Sequence, residues 1–197
     1  MSEENKTEEL IRPQSFTPID QELFESRYIF LTGVINGEIA HRVNKELLAL
    51  EKKDPQRPIY LWINSPGGEV TSGFSIYDTI QFIQSKVYTI VTGMAASMGS
   101  VIALAAEKEN RFSMANGRIL IHQPLISGVM RGSASDLEIH AKDIIEMKKR
   151  INSLYAERTG TSKEKYQELM ERDRWIDPKE AIELGLISKI LKSKADI

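Results

Sequence analysis

The chain has 197 residues, 41% hydrophobic and 27% charged, which suits one globular domain with a sizeable core. A formal net charge of -2 gives no electrostatic case for binding nucleic acid or an anionic membrane surface. With no cysteine, disulfides, thiolate nucleophiles and cysteine zinc sites are excluded.

The N-terminus is polar and acidic (Met1-Ser2-Glu3-Glu4), without the basic start and apolar run of a signal peptide. No run approaches the ~20 apolar residues of a membrane span, so the expected location is the cytoplasm. Residues 1–26 are expected to form a mobile arm, rich in Glu up to about Phe16, and 27–197 a single domain. A strand is predicted over 28–35 and ended by Asn36-Gly37. An amphipathic helix follows over 38–52, with Ile39, Val43, Leu47, Leu48 and Leu50 on or near its buried side. The strand 58–63 runs into Asn64-Ser65-Pro66-Gly67-Gly68, and a helix over 70–84 carries Phe74, Ile76, Tyr77, Ile80 and Ile83. A β-branched strand, 87–92, leads into Gly93-Met94-Ala95-Ala96-Ser97-Met98-Gly99 and an apolar helix. Two short β-rich pieces follow, near 111–114 and 118–122. Strand-helix alternation of this kind argues an α/β fold with parallel strands and crossover helices.

Beyond the loop 124–132 the pattern turns helical. Ser135-Asp136-Leu137-Glu138 reads as a capping box opening a helix to about Arg158, over 30 Å long. Such a helix is expected to stand out of a domain this size and to need a partner surface. Thr161-Ser162-Lys163-Glu164 caps a further helix to about Met170. Asp177-Pro178 starts a short helix that Gly185 stops, and a final strand covers 186–191.

Ser97 has Ala95 two residues before it and Gly99 two after, at a strand-to-helix turn. This is the small-x-Ser-x-Gly spacing of a nucleophile elbow, although small residues at such junctions are also ordinary packing devices. A serine needs a base. His41 and His140 sit among polar neighbours on helices and read as surface residues. His122 ends an apolar strand, where α/β sheets keep their ligands; a buried imidazole bonded to backbone is the alternative. Candidates for the carboxylate that orients it are Asp136, Asp143, Glu171, Asp173 and Asp177. Asp136 and Asp177 already start helices and Asp143 is on a polar face. Asp173 lies in Glu171-Arg172-Asp173-Arg174-Trp175, where the indole could exclude water, or where the charges could simply pair on the surface. The Gly68 N–H could join that of Met98 as oxyanion donors, or the glycines could serve only a tight turn. No Walker motif is present.

From about Tyr28 onward the chain resembles the ClpP family, the proteolytic subunits of ATP-dependent Clp proteases. The match is carried jointly by Asn64-Ser65-Pro66-Gly67-Gly68, Ser75-Ile76-Tyr77-Asp78-Thr79-Ile80, Ala95-Ala96-Ser97-Met98-Gly99, Ile121-His122-Gln123-Pro124, Glu138-Ile139-His140-Ala141-Lys142 and Glu171-Arg172-Asp173-Arg174. The resemblance implies a βαβ spiral of the ClpP/crotonase type with a protruding handle helix at about 133–158. It implies a serine endopeptidase that cuts unfolded polypeptides to short peptides, with Ser97 as nucleophile, His122 as base and Asp173 as its orienter. The oxyanion donors would be the N–H groups of Gly68 and Met98. It further implies two stacked heptameric rings in contact through Glu171 and Arg172. An AAA+ unfoldase such as ClpX, ClpA or ClpC would dock at Tyr60 and Trp62 and supply ATP hydrolysis, leaving this chain without metal or cofactor.

Three departures stand out. Residues 8–16 lack the apolar start of an axial-pore loop, Met94 replaces a usual glutamine, and Ile126-Ser127 replaces a glycine pair that should line the substrate groove. They suggest a divergent paralogue with altered or narrower peptide preference, working alone or in mixed rings with a second ClpP-like chain. A weakly active regulatory subunit and a crotonase-type acyl-CoA enzyme are the alternatives.

Overall fold

The structure, a computed structural model, describes residues 17–124 and 132–197. The departures at residues 8–16 and at Ile126-Ser127 lie outside the described residues.

Helix α1 (Pro18–Glu25) falls within the stretch expected to be an arm. Thr17 and Asp20 form a reciprocal capping box there, Pro18 opens the first turn, and Phe24 packs on the core. Then come β1 (Tyr28–Thr32), α2 (Gly37–Lys53), β2 (Ile59–Ser65), α3 (Val70–Phe82), β3 (Val87–Ala96) and α4 (Met98–Ala103). They are followed by β4 (Arg111–Met114), β5 (Arg118–Ile121), α5 (Ala134–Thr159), α6 (Lys163–Leu169), β6 (Arg174–Ile176), α7 (Pro178–Glu183) and β7 (Lys189–Leu191).

The main sheet has the order β1-β2-β3-β4-β7, all parallel. One face carries Ile29, Leu31, Leu61 and Ile63 into the core beneath α2 and α3. Strand β3 changes partner along its length. Residues 89–91 pair with β4, and 94–96 pair with β5, which in turn pairs antiparallel with β6. The second half of β3 thus exchanges β4 for β5 while Ala95 stays opposite Ser65 of β2, so all seven strands form one sheet of a mixed α/β fold.

Two expectations about helices need correction. Leu48 is 47% exposed; α2 buries Ala40, Val43, Leu47 and Leu50 instead, the set one 3.6-residue stripe can cover. The capping box of α5 is Ser133 with Asp136, not Ser135 with Glu138. Both pairs fit the pattern, and the earlier start gives the helix more backbone hydrogen bonds. At 26 residues α5 is about 39 Å long. Residues 135–143 are all exposed, including Leu137 and Ile139, whereas Ile151, Asn152 and Tyr155 are buried. Only the C-terminal half of α5 is therefore anchored in the domain. Arg158 fastens that half by donating to the carbonyls of Leu104, Ala105 and Ala106 beyond α4. Arg111 joins it on Ala106 O, and burial beside Arg158 lowers the Arg111 pKa to about 10. Among the described residues no helix is long and apolar enough to cross a membrane.

Candidate active site

Strand register assembles the site. β3 ends at Ala96, opposite Leu120 of β5, and the Ser97 N–H donates to Leu120 O at 2.9 Å. On the other side of β5, Ile119, Leu120 and Ile121 pair with Ile176, Trp175 and Arg174. Continuing that antiparallel register by one residue sets His122 opposite Asp173. Three neighbouring strands thus deliver Ser97, His122 and Asp173 to one edge, although 25 and 51 residues separate them in sequence.

His122 Nε2 lies 2.8 Å from Ser97 Oγ, and Nδ1 lies 3.1 Å from Asp173 Oδ1. A carboxylate only accepts, so Nδ1 carries the proton and, in a neutral ring, Nε2 is the acceptor facing the hydroxyl. The His122 side chain is 16% exposed, but Asp173 is 69% exposed. The expected indole cover over Asp173 does not form. Trp175 is held instead by Arg118, whose guanidinium sits 4.6 Å from the ring centroid.

Ser97 has φ 52° and ψ -121°, a left-handed conformation uncommon outside glycine and costly for a side chain. It points the hydroxyl out of a turn that close backbone packing holds. A Cβ on Gly67 would lie 2.6 Å from Ala96 O and 2.7 Å from Ser97 Cβ; one on Gly68 would lie 2.0 Å from Ile35 O. No other residue lets the 64–68 loop come so near the elbow. Met98 is the first residue of α4, so its N–H has no acceptor within that helix. Gly68, Ser97, Met98 and His122 together edge a cavity of about 180 Å³. The rest of its described lining is apolar or aromatic: Val70, Val101, Pro124, Ile151, Tyr155 and Met170.

A family model described as Clp protease matches residues 12–194. The chain belongs to the Clp protease family. A curated relative, the ATP-dependent Clp protease proteolytic subunit 2 of Treponema denticola, is 48% identical over 177 residues, covering 90% of this chain and 88% of the relative. As a Clp protease family member the chain falls among proteolytic subunits, a class of hydrolases.

None of the other residues expected to act in a Clp protease subunit lines the cavity. Tyr60 and Trp62 sit half-buried on the sheet face opposite the main core. There Tyr28, Phe30, Tyr88 and Phe112 extend them into an aromatic row across four strands, with ring centroids 5.3–6.3 Å apart. Glu171 and Arg172 are exposed, and Glu171 pairs at 3.7 Å with Lys148 of its own chain. His41 and His140 are exposed. Met94 lies on β3, opposite Arg118 of β5.

Sequence reasoning missed three residues at the site. Lys148 Nζ donates to Gln123 Oε1 at 2.8 Å, so one amine on α5 touches the residue after His122 and the segment before Asp173. Tyr155 read only as an apolar position, yet its hydroxyl reaches Ser100 Oγ at 2.5 Å, and Ser100 Oγ lies 2.6 Å from Ser97 O. No local pattern announces either link, because each crosses from α5 to a strand end or to α4.

Proposed function

We propose that this chain is a serine endopeptidase subunit of a Clp-type protease, with Ser97, His122 and Asp173 as its catalytic triad. The observation that carries the reading is the continuous chain Ser97 Oγ–His122 Nε2 at 2.8 Å and His122 Nδ1–Asp173 Oδ1 at 3.1 Å. That arrangement, at an elbow with N–H groups beside it, is what acyl transfer to a serine requires.

In this mechanism Ser97 Oγ attacks the scissile carbonyl carbon while its proton passes to His122 Nε2. The carbonyl oxygen becomes an oxyanion received by the N–H groups of Gly68 and Met98. Asp173 holds the ring and stabilises the imidazolium. Collapse of the intermediate breaks the C–N bond, and His122 gives its proton to the leaving amine. A water then enters, loses a proton to His122, and attacks the acyl carbon; Ser97 recovers the proton as the acid product leaves.

Assembly completes the proposal. Residues 1–26 precede a peptidase domain over 27–197, and α5 is the handle at about 133–158. Its exposed Leu137, Ile139 and Ile145 suit burial between two stacked heptameric rings. Glu171 and Arg172 would meet across that interface. The aromatic row around Tyr60 and Trp62 would receive an AAA+ unfoldase such as ClpX, ClpA or ClpC, the ATP-hydrolysing partner that feeds unfolded chains. The cytoplasm is the proposed setting.

A second reading draws on the exposure of Asp173. A carboxylate 69% open to solvent holds His122 weakly, so an isolated subunit would be poorly active and would regulate, or depend on, a ClpP-like partner. Fluorophosphonate labelling, read by intact mass with Ser97→Ala as control, tests both readings. One adduct on wild type, lost in the variant, supports the peptidase. An adduct seen only with a partner ring supports the second reading. An adduct that persists in Ser97→Ala refutes Ser97 as nucleophile.

A further inference from the structure

Resting on the peptidase reading, we propose that Ser100 and Tyr155 are positioning residues that aim the Met98 N–H at the oxyanion by gripping the carbonyl of Ser97. A trans peptide unit points its C=O and its N–H in opposite directions, so whatever fixes Ser97 O also aims the N–H of Met98. The local backbone does not supply that aim. Ser97 has φ 52° and ψ -121°. A non-glycine residue at such a φ settles near a ψ of about +47°. Relaxing there would rotate the Ser97–Met98 unit by nearly half a turn and swing the Met98 N–H away from its present direction.

The contacts of Ser97 O oppose that rotation. The Ser100 and Val101 N–H groups donate to it at 2.9 and 3.3 Å, and the Ser100 hydroxyl lies nearest, at 2.6 Å. A serine bonded back to its own helix is common. Here a second element joins it. Ser100 Oγ also lies 3.2 Å from Leu120 O and 2.5 Å from the Tyr155 hydroxyl on α5. Both carbonyls only accept and Ser100 has one hydroxyl proton, so that proton goes to the nearer carbonyl, Ser97 O, and Tyr155 donates to Ser100 Oγ. Burial raises the Tyr155 pKa, which keeps the phenol protonated as the donor. The bonds therefore run one way, from Tyr155 O–H to Ser100 O–H to Ser97 C=O. Each polarises the next, and the last polarises the peptide unit whose N–H belongs to Met98, making it a stronger donor. The far end is anchored in α5: the Tyr155 ring stands against that of Tyr166, centroids 5.0 Å apart, and Thr159 donates to Tyr155 O.

The test compares Ser100→Ala, Tyr155→Phe and the double variant with wild type, each as the full chain in its assembled form. It reads kcat and KM on a fluorogenic peptide, fluorophosphonate labelling of Ser97, and inhibition by a peptide aldehyde and by the matching peptide alcohol. Ser97 Oγ adds to the aldehyde carbon and its proton passes to His122, while the C=O electron pair moves to the aldehyde oxygen, which then needs the oxyanion donors. The alcohol forms no such bond. Removing an oxyanion donor outright costs about 10²–10³-fold, and misaiming one costs less. Ser100→Ala is expected to lower kcat about tenfold with KM within twofold, and to weaken the aldehyde by a similar factor with the alcohol within twofold. Tyr155→Phe should lower kcat about fivefold, and the double variant should match Ser100→Ala, because the phenol acts only through Ser100. Equal weakening of aldehyde and alcohol, the mark of general damage, overturns the proposal. So does a Tyr155→Phe with kcat and aldehyde affinity within twofold of wild type, whether or not Ser100→Ala folds, or a double variant in which the two losses multiply. Failure of wild type to label at Ser97 instead overturns the serine-peptidase reading beneath it.

Discussion

Gly67→Ala perturbs the elbow without replacing any reacting side chain, and its effect can be worked from geometry. Gly67 has φ +91°, where an L-residue is strained by roughly 1–2 kcal/mol. The added methyl would also stand 2.6 Å from Ala96 O, 2.7 Å from Ser97 Cβ and 3.1 Å from Met98 N. These atoms are backbone or fixed to it, so relief means moving the elbow by roughly 0.7–0.8 Å to reach ordinary contact. Overpacking of this kind adds about 1–3 kcal/mol, giving a total near 2–5 kcal/mol. A displacement approaching 1 Å at the nucleophile and at an oxyanion donor is expected to cost about 10²-fold in rate.

Gly33→Ala is the matched control. Its φ is +84°, but a Cβ there meets nothing within 4 Å, so it carries the backbone strain alone. Denaturation at fixed protein concentration should find it destabilised by roughly 1–2 kcal/mol with its rate unchanged. The decisive assay is the second-order rate of fluorophosphonate labelling in both variants, with peptide hydrolysis alongside. If Gly67→Ala labels within twofold of Gly33→Ala, the 64–68 loop does not hold the elbow, and the close-packing argument is wrong.

Other elements carry their own tests. Lys148→Met frees Gln123 and Glu171 from α5; kcat should fall about tenfold with KM within twofold, and Lys148→Arg should restore most of it. Equal loss in kcat and rise in KM would instead point to a damaged groove. Arg158→Ala strips donors from Leu104, Ala105 and Ala106, of which Ala105 O keeps Gln81 and Ala106 O keeps Arg111. A loss of about 2 kcal/mol, or roughly 4–8 °C in Tm, is expected by thermal scan. Thr17→Ala removes the capping box of α1, and hydrogen exchange should show protection lost over 18–25 with the rest of the chain unaffected.

What the sequence makes legible here is whatever local spacing encodes. The elbow around Ser97 shows as small residues at a strand-helix junction, and Asp177-Pro178 with Gly185 brackets α7 closely. The strand end at His122 is equally visible, because an apolar run stops there. Local rules falter where two solutions satisfy them. Ser133 and Ser135 both sit three residues before an acid, and Leu48 adjoins Leu47 on the same helix, so one-residue choices fall to the tertiary contacts. The arm shows the same limit. Thr17-Pro18-Ile19-Asp20 meets every rule for a helix start, yet eight residues are marginal alone, and the contact of Phe24 with the core lies outside any local window.

The pairing of His122 with Asp173 belongs to a different class of information. Five carboxylates follow His122 as candidates; local roles set aside Asp136, Asp143 and Asp177, but the indole of Trp175, the feature that favoured Asp173, turns to Arg118 instead. Asp173 is singled out by register: Ile119 opposite Ile176 fixes every later pair of β5 and β6, ending with His122 against Asp173. A slip of one residue would send Asp173 to the other face and bring Arg172 or Arg174 toward the imidazole. Either cation would oppose the proton that His122 must accept. The buried Ile119 and Ile176, by forbidding that slip, therefore protect the chemistry from a distance. Polar substitution at Ile176 should lower labelling of Ser97 along with stability, whereas the same change at exposed Ile182 should lower neither.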